Sequence, residues 1–123
     1  EATRVGVEIL RQGGNAIDAA VAVGYALAVT NPCCGNIGGG GFATIHLADG
    51  RDIFFNFREK APGAATETMY LDAKGEIIKD LSLKGYRAVG VPGSVSGMEL
   101  ARKQFGSRPR QALIAPAIRL AAE

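Results

Sequence analysis

A run of glycines in the first third of the chain constrains the fold more than any other feature. Residues 35–41 read Gly-Asn-Ile-Gly-Gly-Gly-Gly, and they lie between an apolar helical pattern and a strand-like alternation. The chain has 17 glycines in 123 residues, which is about twice the ordinary usage of roughly 7%. Because these glycines follow no collagen-like period, we expect them at tight turns and at close approaches of the backbone.

The rest of the composition is that of a globular domain. Apolar residues make up 47% and charged residues 21%, and 14 basic against 12 acidic side chains give a net charge of +2. This balance excludes a disordered tail and provides no basic surface for nucleic acid or a membrane. No uninterrupted apolar run reaches the roughly 18 residues of a membrane span. We therefore expect one segment over residues 1–123, with no nucleic-acid partner and no membrane segment.

Both ends of the chain lie inside helical patterns. Val5, Ile9 and Leu10 mark one helical face near the start, and residues 119–123 continue another pattern without a Gly or Pro stop. No initiator methionine or signal segment precedes the first helix. We therefore expect the chain to be a piece of a longer protein.

The helical patterns before the glycine run are well delimited. The first helix is predicted to end at Gly13-Gly14, where a left-handed cap costs little. Asn15 is predicted to cap a second helix over residues 16–29, with Asp18 completing a short analogue of the capping box. This second helix is apolar nearly all round and rich in small residues, which indicates a helix that is buried on several sides.

A β-hairpin is predicted directly after the glycine run. Residues 42–47 and 51–58 alternate apolar and polar side chains, and Asp49-Gly50 supplies the turn between them. In the second strand the odd-numbered residues from 53 to 57 share the apolar face.

The second half of the chain is predicted to mix turns, a strand and helices. Residues 66–71 are predicted as a short helix, residues 72–75 as a turn and residues 88–91 as a short strand. Ser94 is predicted to cap a helix over residues 95–105.

A last helix is predicted to begin near Pro109, and Pro116 within it implies a kink or a break into two shorter helices. The element order is two helices, a hairpin and then mixed helices, which favours helices stacked on an antiparallel sheet. The predicted fold class is therefore α+β.

Two glycine-rich segments are candidates for binding an anion. The dinucleotide fingerprint needs a strand, a loop and a helix in that order, but residues 35–41 follow a helix and precede a strand. Residues 90–97 precede a helix, but Val95 occupies the centre, where a nucleophile elbow needs serine. We interpret the first segment as a structural loop and Ser94 as an ordinary cap. A non-catalytic module that binds an anionic small molecule with either segment stays open as an alternative.

The cysteines and the single histidine give weak signals. Cys33 and Cys34 are neighbours, so they cannot link distant segments, and they lack the spacing of a thioredoxin-like or zinc motif. We interpret them as two packed thiols beside a loop. His46 shares a strand face with Phe42 and Thr44, which favours a half-buried sheet residue over a catalytic base.

Arg58 is the remaining candidate, at the end of the second predicted strand in Phe57-Arg58-Glu59-Lys60-Ala61-Pro62. A guanidinium at the rim of a sheet can hold a carboxylate through two parallel charge-assisted hydrogen bonds. The alternative is a surface ion pair with Glu59 or another acid, which contributes little stability. The residues by themselves leave both interpretations open.

Four ordered blocks resemble the start of the large subunit of the gamma-glutamyltransferases (gamma-glutamyltranspeptidases). The blocks are residues 13–22, 36–42, 57–62 and 91–93. They follow the family's order at plausible spacing, and the similarity covers nearly the whole chain. One glycine run would be weak evidence, whereas four blocks in order are specific.

The resemblance implies part of an N-terminal nucleophile hydrolase fold, an αββα sandwich of which this chain would hold an incomplete portion. The family is made as one precursor that cleaves itself into a large and a small subunit. The new terminal threonine of the small subunit attacks the gamma-glutamyl amide of glutathione or a related compound. Water or the amine of an amino acid or peptide then resolves the acyl-enzyme. A terminal amine can act as the base for its own hydroxyl, so no cofactor and no metal are implied.

Arg58 is the position that the resemblance carries over, because the family's arginine in this block binds the α-carboxylate of the gamma-glutamyl group. The nucleophilic threonine lies beyond residue 123, so residues 1–123 alone are expected to be inactive and to need the small subunit. Relatives that act on cephalosporin side chains or on poly-gamma-glutamate keep the acyl donor open.

The resemblance also implies a location. Members of the family are often exported, so a periplasmic, secreted or cell-surface location is expected. In such a compartment Cys33 and Cys34 could oxidise to a strained vicinal disulfide.

Overall fold

Four helices and one β-hairpin make up the regular structure of the computed structural model, which describes all residues from 1 to 123. The helices are α1 (Ala2–Arg11), α2 (Ala16–Thr30), α3 (Ser94–Phe105) and α4 (Arg110–Ala122), and the strands are β1 (Phe42–His46) and β2 (Asp52–Asn56). The chain divides into two compact units, one of Glu1–Arg58 with Pro92–Glu123 and the other of Glu59–Val91. The first unit contains all of these helices and strands, and the α+β prediction is confirmed.

The junction between α1 and α2 follows the prediction. Gly13 adopts a φ of +80° just after α1 ends, a conformation that glycine adopts without a steric penalty. The Asn15 side chain accepts hydrogen bonds from the backbone N–H groups of Ile17 and Asp18, both at 3.0 Å. The Asp18 carboxylate accepts the N–H of Asn15 at 2.9 Å, which completes the capping box. The predicted cap is therefore confirmed.

Helix α2 forms the centre of the hydrophobic core. It packs against α1, α3 and α4, as its small apolar residues predict. Helix α4 continues through Pro116 without a break, and two of its residues near the proline, Leu113 and Ala117, are buried in this core. No helix is both long and apolar enough to cross a membrane. The buried members of the core are Ile9, Ala19, Val21, Ala22, Tyr25, Leu113 and Ala117.

Asp18 also connects α2 to the segment between α3 and α4. Its fully buried carboxylate accepts the backbone N–H groups of Ser107 and Arg108 at 3.0 and 3.1 Å, and the Ser107 hydroxyl at 2.6 Å. Burial favours the neutral acid, but the hydrogen bonds from Ser107, Asn15 and Arg108 outweigh it and hold the pKa of Asp18 below its ordinary value. Asp18 thus completes the capping box of α2 and also connects α2 to the segment between α3 and α4.

The predicted hairpin is confirmed. Strands β1 and β2 pair antiparallel from Phe42 opposite Asn56 to His46 opposite Asp52, and Gly50 takes a φ of +87° in the connecting turn. The odd-numbered residues of both strands form the more buried face. On that face the Phe55 ring meets Phe105 of α3 edge-on, with 6.1 Å between ring centroids.

The second unit differs from its prediction in two places. Residues 67–70 form turns and Leu71 forms a bridge to Ile77, in place of the predicted helix over residues 66–71, because so short a segment gains too few helical hydrogen bonds to nucleate a helix. The predicted strand over residues 88–91 is instead a 3₁₀-helix, Tyr86–Ala88, followed by a single bridge between Val91 and Lys60. The turn over residues 72–75 is confirmed, with the Gly75 N–H donating to the Asp72 carbonyl at 3.0 Å.

Candidate functional site

Arg58 lies just beyond the end of β2, and its side chain is exposed. Side chains alternate along a strand, so Arg58 shares a sheet face with Phe54 and Asn56, opposite the face that packs on α3. The Asn56 side-chain oxygen accepts the backbone N–H of Arg58 at 3.1 Å, which holds the chain where the regular pairing stops.

The sheet face that carries Arg58 also carries two exposed aromatic rings. Phe42 is 58% and Phe54 62% exposed, and their rings stack with centroids 5.9 Å apart. Antiparallel sheets commonly bury one face and leave the other to solvent or to a second layer. Stacked phenyl rings are an apolar surface of the kind that a second layer covers. Arg58 is therefore at the edge of an open, partly apolar sheet face.

The end of the glycine run continues the backbone pairing of the hairpin beyond β1. Gly41 and Phe57 exchange backbone hydrogen bonds of 3.0 and 3.3 Å. The last residue of the glycine run is therefore paired with the residue that directly precedes Arg58.

The start of α3 joins this arrangement through Gly39. The Gly39 carbonyl oxygen accepts the N–H groups of Gly93 and Ser94 at 2.8 and 3.0 Å. The prediction that Ser94 caps α3 with its side chain is wrong, because Ser94 is the first helical residue and Gly93 takes the cap position without a side-chain bond. A carbonyl from the glycine run takes the role expected of the serine hydroxyl.

Three glycines pack around Phe57, the residue before Arg58. A Cβ built on Gly93 would overlap the Phe57 carbonyl oxygen, and one on Gly97 would overlap the Phe57 ring. A Cβ on Gly41 would come within 3.1 Å of the same ring. The expected close backbone approaches are therefore present, and they fix the end of β2. The contact of Gly97 with the Phe57 ring was not predicted, and its only sequence signal is the position of Gly97 one helical turn after Gly93.

His46 lies at the opposite end of the paired strands from Arg58. Its side chain is 72% exposed, and its Nδ1 atom is 2.7 Å from a carboxylate oxygen of Asp52. The prediction of a half-buried residue is therefore wrong. An exposed imidazole beside the hairpin turn has no part in the arrangement around Arg58.

Cys33 and Cys34 follow α2 and precede the glycine run. Both are exposed, so the interpretation as packed thiols is wrong, although their Sγ atoms contact each other at 3.1 Å. No three His, Cys, Asp or Glu side chains come close enough together to hold a metal ion.

The helices packed on one sheet face, and the open face opposite with an arginine near its edge, define one part of a layered α+β protein. A model of the gamma-glutamyltranspeptidase family matches residues 2–123. The glutathione hydrolase proenzyme of Pseudomonas sp. strain A14 is 68% identical over 120 residues, which are 98% of this chain and 21% of that protein.

Two solved structures agree with this match. The gamma-glutamyltranspeptidase of Helicobacter pylori is 56% identical, with a TM-score of 0.94 over 98% of this chain and 34% of that one. The gamma-glutamyltranspeptidase from Pseudomonas nitroreducens, solved in complex with L-DON, is 54% identical with a TM-score of 0.89, over 95% and 35% of the two chains.

The chain belongs to the gamma-glutamyltranspeptidase family, as the four sequence blocks predict. Its helices and hairpin are one part of the N-terminal nucleophile hydrolase sandwich. The chain spans about a fifth of the length of the curated relatives that it matches.

Proposed function

We propose that this chain is the N-terminal portion of the large subunit of a gamma-glutamyltransferase with glutathione hydrolase activity. The enzyme removes the gamma-glutamyl group from glutathione or a related compound and passes it to water or to an amine. The observation that carries this proposal is the convergence of the glycine run, the start of α3 and the end of β2 at the exposed Arg58. In this proposal Arg58 binds the α-carboxylate of the gamma-glutamyl group.

The chemistry of Arg58 suits that role. Its planar guanidinium can donate two parallel hydrogen bonds to one carboxylate, and hydrogen bonds to charged groups contribute about 1.5–3 kcal/mol each. The hydrogen bond from the Arg58 N–H to Asn56 and the packing of Phe57 hold its backbone in place before a substrate arrives. A carboxylate bound there gains affinity because little ordering remains to be done.

The position of the α-carboxylate in the donor determines which step Arg58 can take part in. The α-carboxylate lies several bonds from the gamma-glutamyl amide that is cleaved, so Arg58 binds and orients the donor but does not react with it. The threonine nucleophile comes from the small subunit in this proposal, and its terminal amine acts as the base. The working site therefore needs the small subunit as a partner, in an enzyme located in the periplasm, outside the cell or on its surface.

Steady-state kinetics of Arg58 variants of the full-length enzyme test the proposal. The donors are gamma-glutamyl-p-nitroanilide and its α-amide, which has no carboxylate charge. In the Arg58→Gln variant kcat/KM for the carboxylate donor should fall roughly 100-fold or more, the equivalent of about 3 kcal/mol of binding. The α-amide donor should change by less than about threefold, and Arg58→Lys should lie between, because lysine offers a point charge without the fork.

Arg51→Ala is the matched control, because it removes an exposed arginine at the hairpin turn that pairs only with Asp49. Equal losses with both donors in Arg58→Gln would reject the carboxylate role. Unchanged kinetics in both Arg58 variants would remove Arg58 from the site.

A donor panel and a binding titration separate the alternatives. Cleavage of a cephalosporin side chain or of poly-gamma-glutamate in preference to glutathione would leave the fold assignment unchanged but would assign a different acyl donor. Saturable micromolar binding of a nucleotide, with no hydrolysis of any gamma-glutamyl compound, would favour the non-catalytic module.

A further inference from the structure

Two thiols lie side by side on the surface between α2 and the glycine run. The Sγ atoms of Cys33 and Cys34 are 3.1 Å apart, and both residues are exposed. They lie in a turn in which the Asn31 carbonyl oxygen accepts the N–H groups of Cys34 and Gly35 at 3.2 and 2.8 Å. A dissolved reagent can therefore reach either sulfur, and each sulfur already touches its neighbour.

We propose that Cys33 and Cys34 are a redox modification site, which a small-molecule disulfide converts reversibly into a vicinal disulfide. This inference goes beyond the proposed function and does not rest on it. The class of reagent is an unhindered disulfide such as glutathione disulfide.

The reaction balances as two thiol–disulfide exchanges. The thiolate of one cysteine attacks a sulfur of the reagent, forms a mixed disulfide and releases one thiol. The neighbouring thiol loses its proton to solvent and attacks the protein sulfur of that mixed disulfide, which releases the second thiol. The two cysteines are oxidised together by two electrons, and one reagent disulfide is reduced to two thiols.

The contact between the sulfurs makes the second exchange fast. Because the attacking thiol is held next to the mixed disulfide, the step is intramolecular and does not depend on reagent concentration. The contact with Cys33 raises the pKa of Cys34, which makes Cys34 the poorer first nucleophile.

The geometry of neighbouring residues makes the product labile. Consecutive Cα atoms are about 3.8 Å apart across a trans peptide, whereas disulfides usually join Cα atoms about 4.4–6.8 Å apart. The closed ring is therefore strained, and strained, exposed disulfides are the ones that thiols reduce readily. Closure must also adjust the Asn31 turn, which leads directly into the glycine run.

Peptide mapping of the intact protein that carries this chain tests the site. The reduced protein is incubated with bis(2-hydroxyethyl) disulfide, an unhindered disulfide with no gamma-glutamyl group for the proposed activity to cleave, quenched with N-ethylmaleimide and digested with trypsin. Both cysteines then fall in one peptide, residues 12–51, because no lysine or arginine lies between Arg11 and Arg51. We expect this peptide to carry no maleimide and to be lighter by two hydrogen atoms, and dithiothreitol should restore two maleimide sites.

The single variants Cys33→Ser and Cys34→Ser are matched controls, because each retains one thiol without its resolving partner. Each should stop at a mixed disulfide with one 2-mercaptoethanol. A wild-type peptide that retains two maleimides, or that accumulates one or two 2-mercaptoethanol adducts, would overturn the proposal. Since the readout is the mass of one peptide, loss of enzymatic activity would not affect it.

Discussion

The α2 core and the end of β2 are both built from small residues, but the residues serve different purposes. In α2, alanines and one aspartate let helices α1, α3 and α4 pack around a buried centre. At the end of β2, glycines let backbone touch backbone beneath an exposed cation. In the core, small side chains therefore allow helices to pack closely and be buried. At the candidate site, the absence of a side chain on the glycines allows the backbone segments around Phe57 to come into contact. Substitutions in the two regions should differ accordingly in what they damage.

The largest effect is expected from Gly93→Ala. The new Cβ would overlap a backbone carbonyl, which no side-chain rotation can relieve. Overpacking of this kind costs about 1–3 kcal/mol and moves the backbone. We expect the full-length enzyme to lose about 3 kcal/mol of unfolding free energy in urea and most of its affinity for the donor carboxylate.

Gly38→Ala is the control for that variant, because its Cβ would meet nothing closer than the Asn36 side chain at 3.8 Å. Similar losses in both variants would show that glycine flexibility, and not close contact, is what matters there.

A somewhat smaller effect is expected from Asp18→Asn in the core. The amide has one acceptor oxygen for donors that now bind two carboxylate oxygens, so buried N–H groups lose their partners. We expect a loss of about 2–3 kcal/mol at pH 7. Because folding lowers the pKa of Asp18, the carboxylate contributes its stability above the unfolded pKa of about 3.9. That contribution is lost as the pH falls through the lower folded value.

Urea unfolding of wild type and Asp18→Asn between pH 7 and pH 2 measures this effect. The difference between the two proteins should shrink below about pH 4, and kcat/KM ratios between carboxylate and amide donors should stay unchanged. A difference independent of pH would mean that Asp18 acts by shape and not by charge. Glu8→Gln is the control, since Glu8 is exposed.

The smallest effect is expected from His46→Ala. The pair with Asp52 is exposed on both sides, and exposed ion pairs contribute about 0–1 kcal/mol. We expect unfolding free energy within about 0.5 kcal/mol of wild type and unchanged kcat and KM. A tenfold fall in kcat would indicate that His46 acts as a catalytic base. It would contradict the conclusion that the end of the hairpin with His46 has no part in the site around Arg58.

Much of this arrangement could be predicted locally. The Asn15 capping box, the Gly50 turn and the alternation along β2 depend on residues within a few positions of one another, so pattern and turn chemistry suffice. Ser94 shows where that reasoning fails. Its sequence favours a cap, but a carbonyl of Gly39 from a distant part of the chain takes that role.

The exposure of individual side chains also could not be predicted from nearby residues in the sequence. His46 and the two cysteines were expected to be partly buried or packed, and all three are exposed. Alternation along a strand shows which residues share a face, but not what covers that face. Whether a sheet face is covered depends on segments that are distant in sequence, so the hydrophobic periodicity of the strand cannot predict it.

The sequence by itself determined the helices and the hairpin, the family and the choice of Arg58 as candidate, because each rests on the order and spacing of nearby residues. Only the tertiary structure decided that the glycine run, Phe57 and the start of α3 meet beside Arg58. It also showed that Asp18 ties the α3–α4 connection to α2. The physical reason is that such contacts join residues from 16 to 90 positions apart, and their geometry exists only after the elements have packed.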